Sequence, residues 1–255
     1  WEELKGDIEF DNVSFAYINE EYILKDFSLK IPAGSSVALV GATGSGKSTI
    51  CNLLTRMLEY DKGQILIDGI DIKDIEKKHL RRNVKMVLQD PFLFSKTVYD
   101  NISIANPKAS KERIYEVSKI ASVYDEINKF NKGYSTLVGE KGTTLSGGQK
   151  QRLAIARVLV DEAPILVFDD SLSALDSKTG VEILKLLRKQ SDEDTTVIIV
   201  THNALIADIA DQLDIEPYRL IEACFEERIK YELYETYTLS RKEQFIEEHD
   251  LSSEE

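Results

Sequence analysis

Ser36-Val37-Ala38-Leu39-Val40-Gly41-Ala42-Thr43-Gly44-Ser45-Gly46-Lys47-Ser48 is the stretch on which the reading of this chain turns. Its first five residues form an almost uniformly apolar run ending at glycine, as expected of a strand buried on both faces of a parallel sheet. The next eight satisfy the P-loop spacing, and a helical pattern follows, which is the context that gives that spacing meaning. Glycines let the backbone wrap a phosphate with successive N–H groups turned inward, and a helix N-terminus adds partial positive charge. Lys47 would neutralise the β- and γ-phosphates of a nucleotide, and the Ser48 hydroxyl would ligate Mg²⁺. A Gly/Ser-rich turn without a ligand is the competing reading, and the flanking strand and helix disfavour it.

Working outward, residues 8–31 alternate apolar and polar at Ile8/Phe10, Val13/Phe15 and Phe27/Leu29/Ile31, the period of half-buried antiparallel strands. Beyond the loop, buried runs recur at Val84–Leu88, Ile165–Phe168 and Thr196–Val200, separated by helical patterns such as Val181, Leu184 and Leu187. Such alternation predicts an α/β core with a mostly parallel sheet flanked by helices, entered through an N-terminal antiparallel β subdomain. From Thr97 to Val160 the pattern is mainly helical, which predicts a helical subdomain inserted within the core. Residues 1–213 are thus read as one domain. In the segment 214–255, Pro217 could start a helix carrying Ile221, Phe225, Ile229 and Leu233 on one side, and Ser240 and Glu243 have capping-box spacing, so two helices are expected there.

Bulk properties narrow the function classes. The chain has 255 residues, is 42% hydrophobic and 30% charged, and no stretch approaches the ~18 apolar residues of a membrane span. Net charge is −13, of which residues 203–255 carry −10, with 15 Asp/Glu against 5 Lys/Arg. An acidic chain without a basic stripe argues against nucleic acid as a partner. Cys51 and Cys224 lie 173 positions apart with neither metal-ligand nor redox spacing, which points to a reducing, cytosolic setting. The abrupt opening at Trp1, without an initiator Met, is the expected look of a fragment of something longer.

A P-loop alone leaves kinases, GTPases and many ATPases open. The apolar run Ile165-Leu166-Val167-Phe168 ends in Asp169-Asp170, where one carboxylate can hold Mg²⁺ and the next can face the γ-phosphate. Leu145-Ser146-Gly147-Gly148-Gln149, followed by Lys150-Gln151-Arg152, decides among the classes. Here the chain resembles the ABC ATPase family, whose signature is LSGGQ. Tyr17 matches the aromatic that stacks on adenine, Gln89 the Q-loop glutamine, Ser171-Leu172-Ser173-Ala174-Leu175-Asp176 the D-loop and His202 the switch histidine.

The resemblance, over about residues 4–213, implies ATP and Mg²⁺ as ligands. Nucleotide contacts would come from Tyr17, Gly41, Ala42, Thr43, Gly44, Ser45, Gly46, Lys47, Ser48, Thr49, Gln89 and Asp169, and from signature residues Ser146, Gly147, Gly148 and Gln149. Metal ligation would fall to Ser48, Gln89 and Asp169, and hydrolysis to Asp170, His202, Gln89 and Lys47. It also implies a head-to-tail dimer with a second ABC ATPase domain, two ATP molecules being sandwiched between P-loop and signature. Thr136–Gly142 looks like the segment that exporters set against the coupling helices of their membrane domains. Phe92-Leu93-Phe94 and Thr97–Ile102 are exporter-like too, and Leu4–Phe10 resembles the junction after the last membrane helix. The expectation is therefore a soluble piece of an integral membrane exporter, at the cytoplasmic face.

Two features depart from the family pattern. The usual general base is a Glu after the strand-end Asp, and this chain has Asp170, whose carboxylate would sit about 1–1.5 Å short, a misplacement that can cost ~10²-fold in rate. That resembles the degenerate site of heterodimeric multidrug or peptide exporters; a homodimer in which Asp170 still acts as base is the alternative. After Leu213, exporters continue into a strand pair around a glycine turn, whereas no glycine follows Gly180 here. Two further functions compete with the export engine: an ATP-dependent regulatory module with little turnover, and a soluble ABC protein acting on ribosomes or DNA. The Thr136–Gly142 segment and the lack of a basic surface disfavour the last.

Overall fold

The computed structural model describes residues 3–17, 22–40, 44, 46–139, 144–172, 175–190, 195–201, 219–223 and 231–234. Two sheets organise them. In the first, β1 (Ile8–Ala16) pairs antiparallel with β2 (Tyr22–Ile31), and their inward residues meet across the ladder: Ile8 opposite Ile31, Phe10 opposite Leu29, Val13 opposite Phe27 and Phe15 opposite Leu24. Each of these side chains is buried, and each contributes about 1.5–3 kcal/mol. The expected antiparallel pair is therefore present.

On its other side β1 pairs antiparallel with β4 (Lys62–Ile67), which in turn pairs with the short β5 (Ile70–Asp71). This pair was not anticipated. Lys62-Gly63-Gln64 carries no alternation, because the register slips between Asp11 and Ser14 and Gly63 fills the gap at φ 82°. A Cβ at Gly63 would stand 2.4 Å from the Asn12 carbonyl oxygen, so only glycine fits this bulge.

The second sheet runs β10-β9-β3-β8-β7-β6, with β3 (Ser36–Val40), β6 (Val84–Val87), β7 (Ile165–Asp169), β8 (Thr196–Thr201), β9 (Arg219–Ala223) and β10 (Tyr231–Tyr234). All pairs are parallel except β9 with β10. Successive residues of its central strands enter two different cores. Val37, Leu39, Val167 and Val200 pack with the first sheet and with Ile50, Leu53 and Leu54 of α1 (Lys47–Leu54). Ala38, Leu166, Phe168 and Ile199 pack towards the helices. Covering on both faces is why these strands read as unbroken apolar runs. Of the helices, α2 (Lys77–Asn83) leads into β6 and α7 (Ser177–Gln190) links β7 to β8.

Between β6 and β7 lie α3 (Val98–Ser103), α4 (Lys111–Ile120), α5 (Tyr124–Lys129) and α6 (Gly147–Leu159), matching the inserted helical region. Thr97, Ser110 and Ser146 cap α3, α4 and α6 through their hydroxyls.

The C-terminal expectation needs correction. Residues 219–223 and 231–234 are strands, not parts of helices: β9 lies parallel to β3, from Val37 opposite Arg219 to Val40 opposite Glu222. It occupies an edge of β3 whose backbone groups would otherwise need other partners. The misreading has a simple origin, since Ile221 and Leu233 are directly paired across the β9–β10 ladder. Their separation of 12 residues suits a four-residue helical repeat and a hairpin equally. Pro217, Phe225, Ile229, Ser240 and Glu243, also invoked for helices, lie outside the described residues.

Candidate nucleotide site

The site is built at the sheet edge where β3 and β7 end on either side of β8. Gly46, at φ 93°, turns the chain into α1, so that Lys47 and Ser48 are its first residues. Lys47 is buried, and burial pushes its ammonium pKa down against the opposing pull of the Asp170 and Asp169 carboxylates. The Ser48 hydroxyl donates to Asp169 Oδ1 at 2.8 Å. Burial raises the Asp169 pKa and Asp170 adds to the rise, while the Ser48 hydrogen bond and Lys47 oppose it. A hydroxyl and a carboxylate in contact form a hard oxygen donor pair of the kind Mg²⁺ takes, the remaining ligands being water and phosphate. The residues present thus fit Mg²⁺ with a nucleotide, which would also compensate the buried ammonium.

Asp170 follows with φ 47°, a left-handed backbone that Asp tolerates better than most residues. Its N–H donates to the Val200 carbonyl of β8 at 2.9 Å. The Gln89 side-chain amide donates to Asp170 Oδ2 at 3.1 Å. Gln89 was expected as a metal ligand and as a hydrolytic residue; the structure sets it against the carboxylate next in line after Asp169.

Tyr17, half exposed, extends β1 towards α1: its hydroxyl lies 3.4 Å from Thr49 Oγ1 and its ring meets Phe15 edge-on at 4.9 Å. That leaves an aromatic face beside the first turn of α1, where a base can stack. Among the described residues, none comes within 4 Å of where a Cβ at Gly44 would stand.

The signature sits at the start of α6. Ser146 and Gln149 form a reciprocal capping box, and the Gln149 amide also donates to Glu126 Oε2 at 3.1 Å. Arg152 braces the same turn through Glu126 (2.7 Å), the Gly148 carbonyl and the Ser122 carbonyl. Ser146 and Gly147 are exposed, whereas the Gln149 side chain is engaged locally. The signature is thus a braced helix start turned outward.

Two further segments singled out in the sequence are joined. Thr97 bridges antiparallel to Leu137, with Val98 N–H on the Thr136 carbonyl and Val138 N–H on the Lys96 carbonyl, both at 2.9 Å. Leu88, Phe92, Phe94 and Leu137 are exposed.

Sequence reasoning missed the groups beneath this region. Asn101, fully buried, donates to the Phe94 and Thr97 carbonyls and accepts from Phe94 N–H and Arg157. Arg157 also reaches the Phe92 carbonyl at 2.7 Å. Nothing in a 56-residue separation announces such a pair; only Gln151 and Arg152, adjoining the signature, carried a local signal.

Gly41, Ala42, Thr43, Ser45, His202, Ser173, Ala174 and residues 140–143 lie outside the described residues.

A parallel sheet with Lys47, Ser48 and Asp169 gathered at its strand ends defines a P-loop nucleotide-binding protein. The family model described as ABC transporter matches residues 24–173, more than half of the chain, and the chain belongs to that family as an ATPase domain that takes ATP with Mg²⁺. It is 44% identical over 214 residues to an ATP-dependent lipid A-core flippase of Haemophilus influenzae, covering 83% of this chain and 36% of the flippase. It is 39% identical over 253 residues to the β-(1→2)glucan export ATP-binding/permease protein NdvA of Bartonella henselae, covering 97% of this chain and 42% of that protein. The solved structure of a bacterial Atm1-family ABC exporter with ATP bound aligns at TM-score 0.83 and 36% identity, over 96% of this chain and 41% of that one. Similarity therefore continues past Leu213, beyond the extent expected, and the chain spans about two fifths of the length of these relatives. Among the described residues no helix is long and apolar enough to cross a membrane.

Proposed function

We propose that this chain is the ATP-hydrolysing engine of an exporter, acting as one half of a head-to-tail pair of ABC ATPase domains attached to membrane-spanning domains at the cytoplasmic face. The observation that carries the reading is the Ser48–Asp169 contact beside buried Lys47. Mg²⁺, when held by Ser48 and Asp169, would neutralise charge on the nucleotide phosphates. Lys47 supplies a fixed positive charge, Gln89 orients the Asp170 carboxylate, and Asp170 takes the proton of a water attacking the γ-phosphorus, releasing ADP and phosphate.

The pairing rests on how the signature is built. A braced helix start with Ser146 and Gly147 exposed suits a phosphate presented by a second subunit. The exposed apolar side chains of Leu88, Phe92, Phe94 and Leu137, carried on segments joined by backbone hydrogen bonds, suit the membrane domains. Similarity to a lipid A-core flippase and to a glucan export protein agrees with export.

In this reading Asp170 makes the chain's own site slow, while its Ser146–Gln149 signature serves a competent site on a different partner domain. A homodimer, or an ATP-gated regulatory module with little turnover, is the reading that Asp170 would also allow. Light scattering of the chain, alone and mixed with a second ABC ATPase domain, with and without MgATP and with phosphate release followed in parallel, separates them. MgATP-dependent dimers and turnover that rises in the mixture support the heterodimeric engine. Dimers of the chain alone with sustained turnover indicate the homodimer, and dimers without turnover in either case indicate the regulatory module.

A further inference from the structure

The helix that begins with the signature also grips the Q-loop of its own chain. Gln151, one turn into α6 and 1% exposed, donates its side-chain amide to the Leu88 carbonyl at 3.1 Å. Arg157, near the end of the same helix, donates to the Phe92 carbonyl at 2.7 Å. These two bonds bracket Gln89, Asp90 and Pro91. The Gln89 amide in turn meets Asp170 Oδ2 at 3.1 Å. A continuous chain of contacts therefore runs from the signature turn, through Gln151 and the Leu88 peptide, to the hydrolytic carboxylate.

We propose that Gln151 is a positioning residue, which sets Gln89 against Asp170 and makes the orientation of that carboxylate depend on the placement of α6. The inference rests on the functional reading of Gln89 and Asp170 given above. Leu88 is the residue immediately before Gln89, so a hydrogen bond at its carbonyl fixes the peptide plane from which the Gln89 side chain departs. The donor Gln151 is buried and the bond itself part-buried, so it is partly shielded from competing water, and removing the donor leaves a carbonyl to find another partner. Because α6 is a continuous hydrogen-bonded rod of 13 residues with Leu153, Ile155 and Leu159 packed in the core, displacement at Ser146 is carried to Gln151 rather than absorbed between them. The signature turn, which would touch a nucleotide held by the partner domain, is thereby tied to the chain's own hydrolytic groups. Two distinct sites would be connected through one packed element, a physical route by which coupling can be carried between them.

A double-mutant cycle with the full chain in its hydrolysing dimer tests the assignment. Gln151→Met keeps the side chain's length and removes the donor. It is expected to lower kcat for MgATP about ten-fold while leaving KM within about two-fold, the pattern of a group that acts on the reacting geometry and not on uniform binding. Combined with Gln89→Ala, it should cost nothing beyond Gln89→Ala alone, because both changes break one chain. Amide hydrogen exchange without nucleotide gives a second reading: in Gln151→Met residues 88–92 should exchange faster, while α3 stays as protected as in the parent. Should Gln151→Met not fold, Gln151→Glu keeps the size and replaces the donor by an acceptor. Losses that multiply in the double variant, an unchanged kcat, or unaltered exchange at 88–92 would each overturn the proposal. Failure of the parent chain to hydrolyse MgATP in any pairing would instead count against the proposed function, and the exchange measurement would still decide whether Gln151 holds the Q-loop.

Discussion

Ser48 Oγ and Asp169 Oδ1 stand 2.8 Å apart although 121 positions separate them in the chain. The contact exists because β3 and β7 flank β8 in one sheet and deliver the start of α1 and the end of β7 to the same edge. Ser48→Ala removes one of two adjacent oxygen donors and leaves the fold intact. We expect the Mg²⁺ concentration needed for half-maximal nucleotide binding to rise about ten-fold, as for loss of one charge-assisted contact, measured by titrating Mg²⁺ at fixed ATP.

Asp169 stores a cost that pH can expose. Its pKa is raised by burial, so the folded protein holds that proton to higher pH than the unfolded chain does. Stability contributed here is therefore full below the unfolded carboxylate value, about 3.9, and declines as pH rises towards the raised folded value. Asp169→Asn keeps the shape, accepts from Ser48 and carries no charge. Its melting temperature should exceed the parent's at pH 7, and the gain should vanish as pH falls towards 4, while MgATP binding weakens.

The N-terminal segment is tied down by one carboxylate. Asp68, at φ 52°, accepts from Lys5 N–H at 2.6 Å and Asp7 N–H at 2.9 Å, with Gly6 N–H at 3.4 Å. Asp68→Ala loses these charge-assisted bonds and places a Cβ-bearing residue without a local partner in a left-handed backbone. A loss of about 1–3 kcal/mol is expected in chemical denaturation, with faster amide exchange at residues 4–8. Asp68→Asn, which tolerates the backbone and retains one acceptor, should lose less.

Asp170→Glu lengthens the proposed base by one methylene. In the dimer that hydrolyses ATP, phosphate release should rise several-fold with KM little changed. An unchanged rate would remove Asp170 as the feature that limits turnover.

What the sequence disclosed and what it hid follow from the range of the interactions. The loop ending at Lys47, the strand ending at Asp169 and the turn at Ser146 are each local, and their residue types declare a phosphate, a cation and a helix start. The parallel strands were legible because burial on both faces strips them of polar residues. β4 was hidden by the bulge at Gly63, where a backbone clash dictates the residue and breaks the alternation. The β9–β10 pair was hidden because Ile221 and Leu233 satisfy two periodicities at once. The Asn101–Arg157 and Gln151–Leu88 contacts were hidden for another reason: they join side chains to distant carbonyls, and a carbonyl has no letter in the sequence.

Equilibrium binding of MgATP to the purified chain, set beside Lys47→Ala and Asp169→Asn, goes most directly to the centre of this account. Saturable uptake by the parent, weakened at least ~10²-fold in both variants as expected for a lost buried charge contact, is the predicted result. Parent and variants binding with equal affinity, or a folded parent that takes up no MgATP, would contradict it.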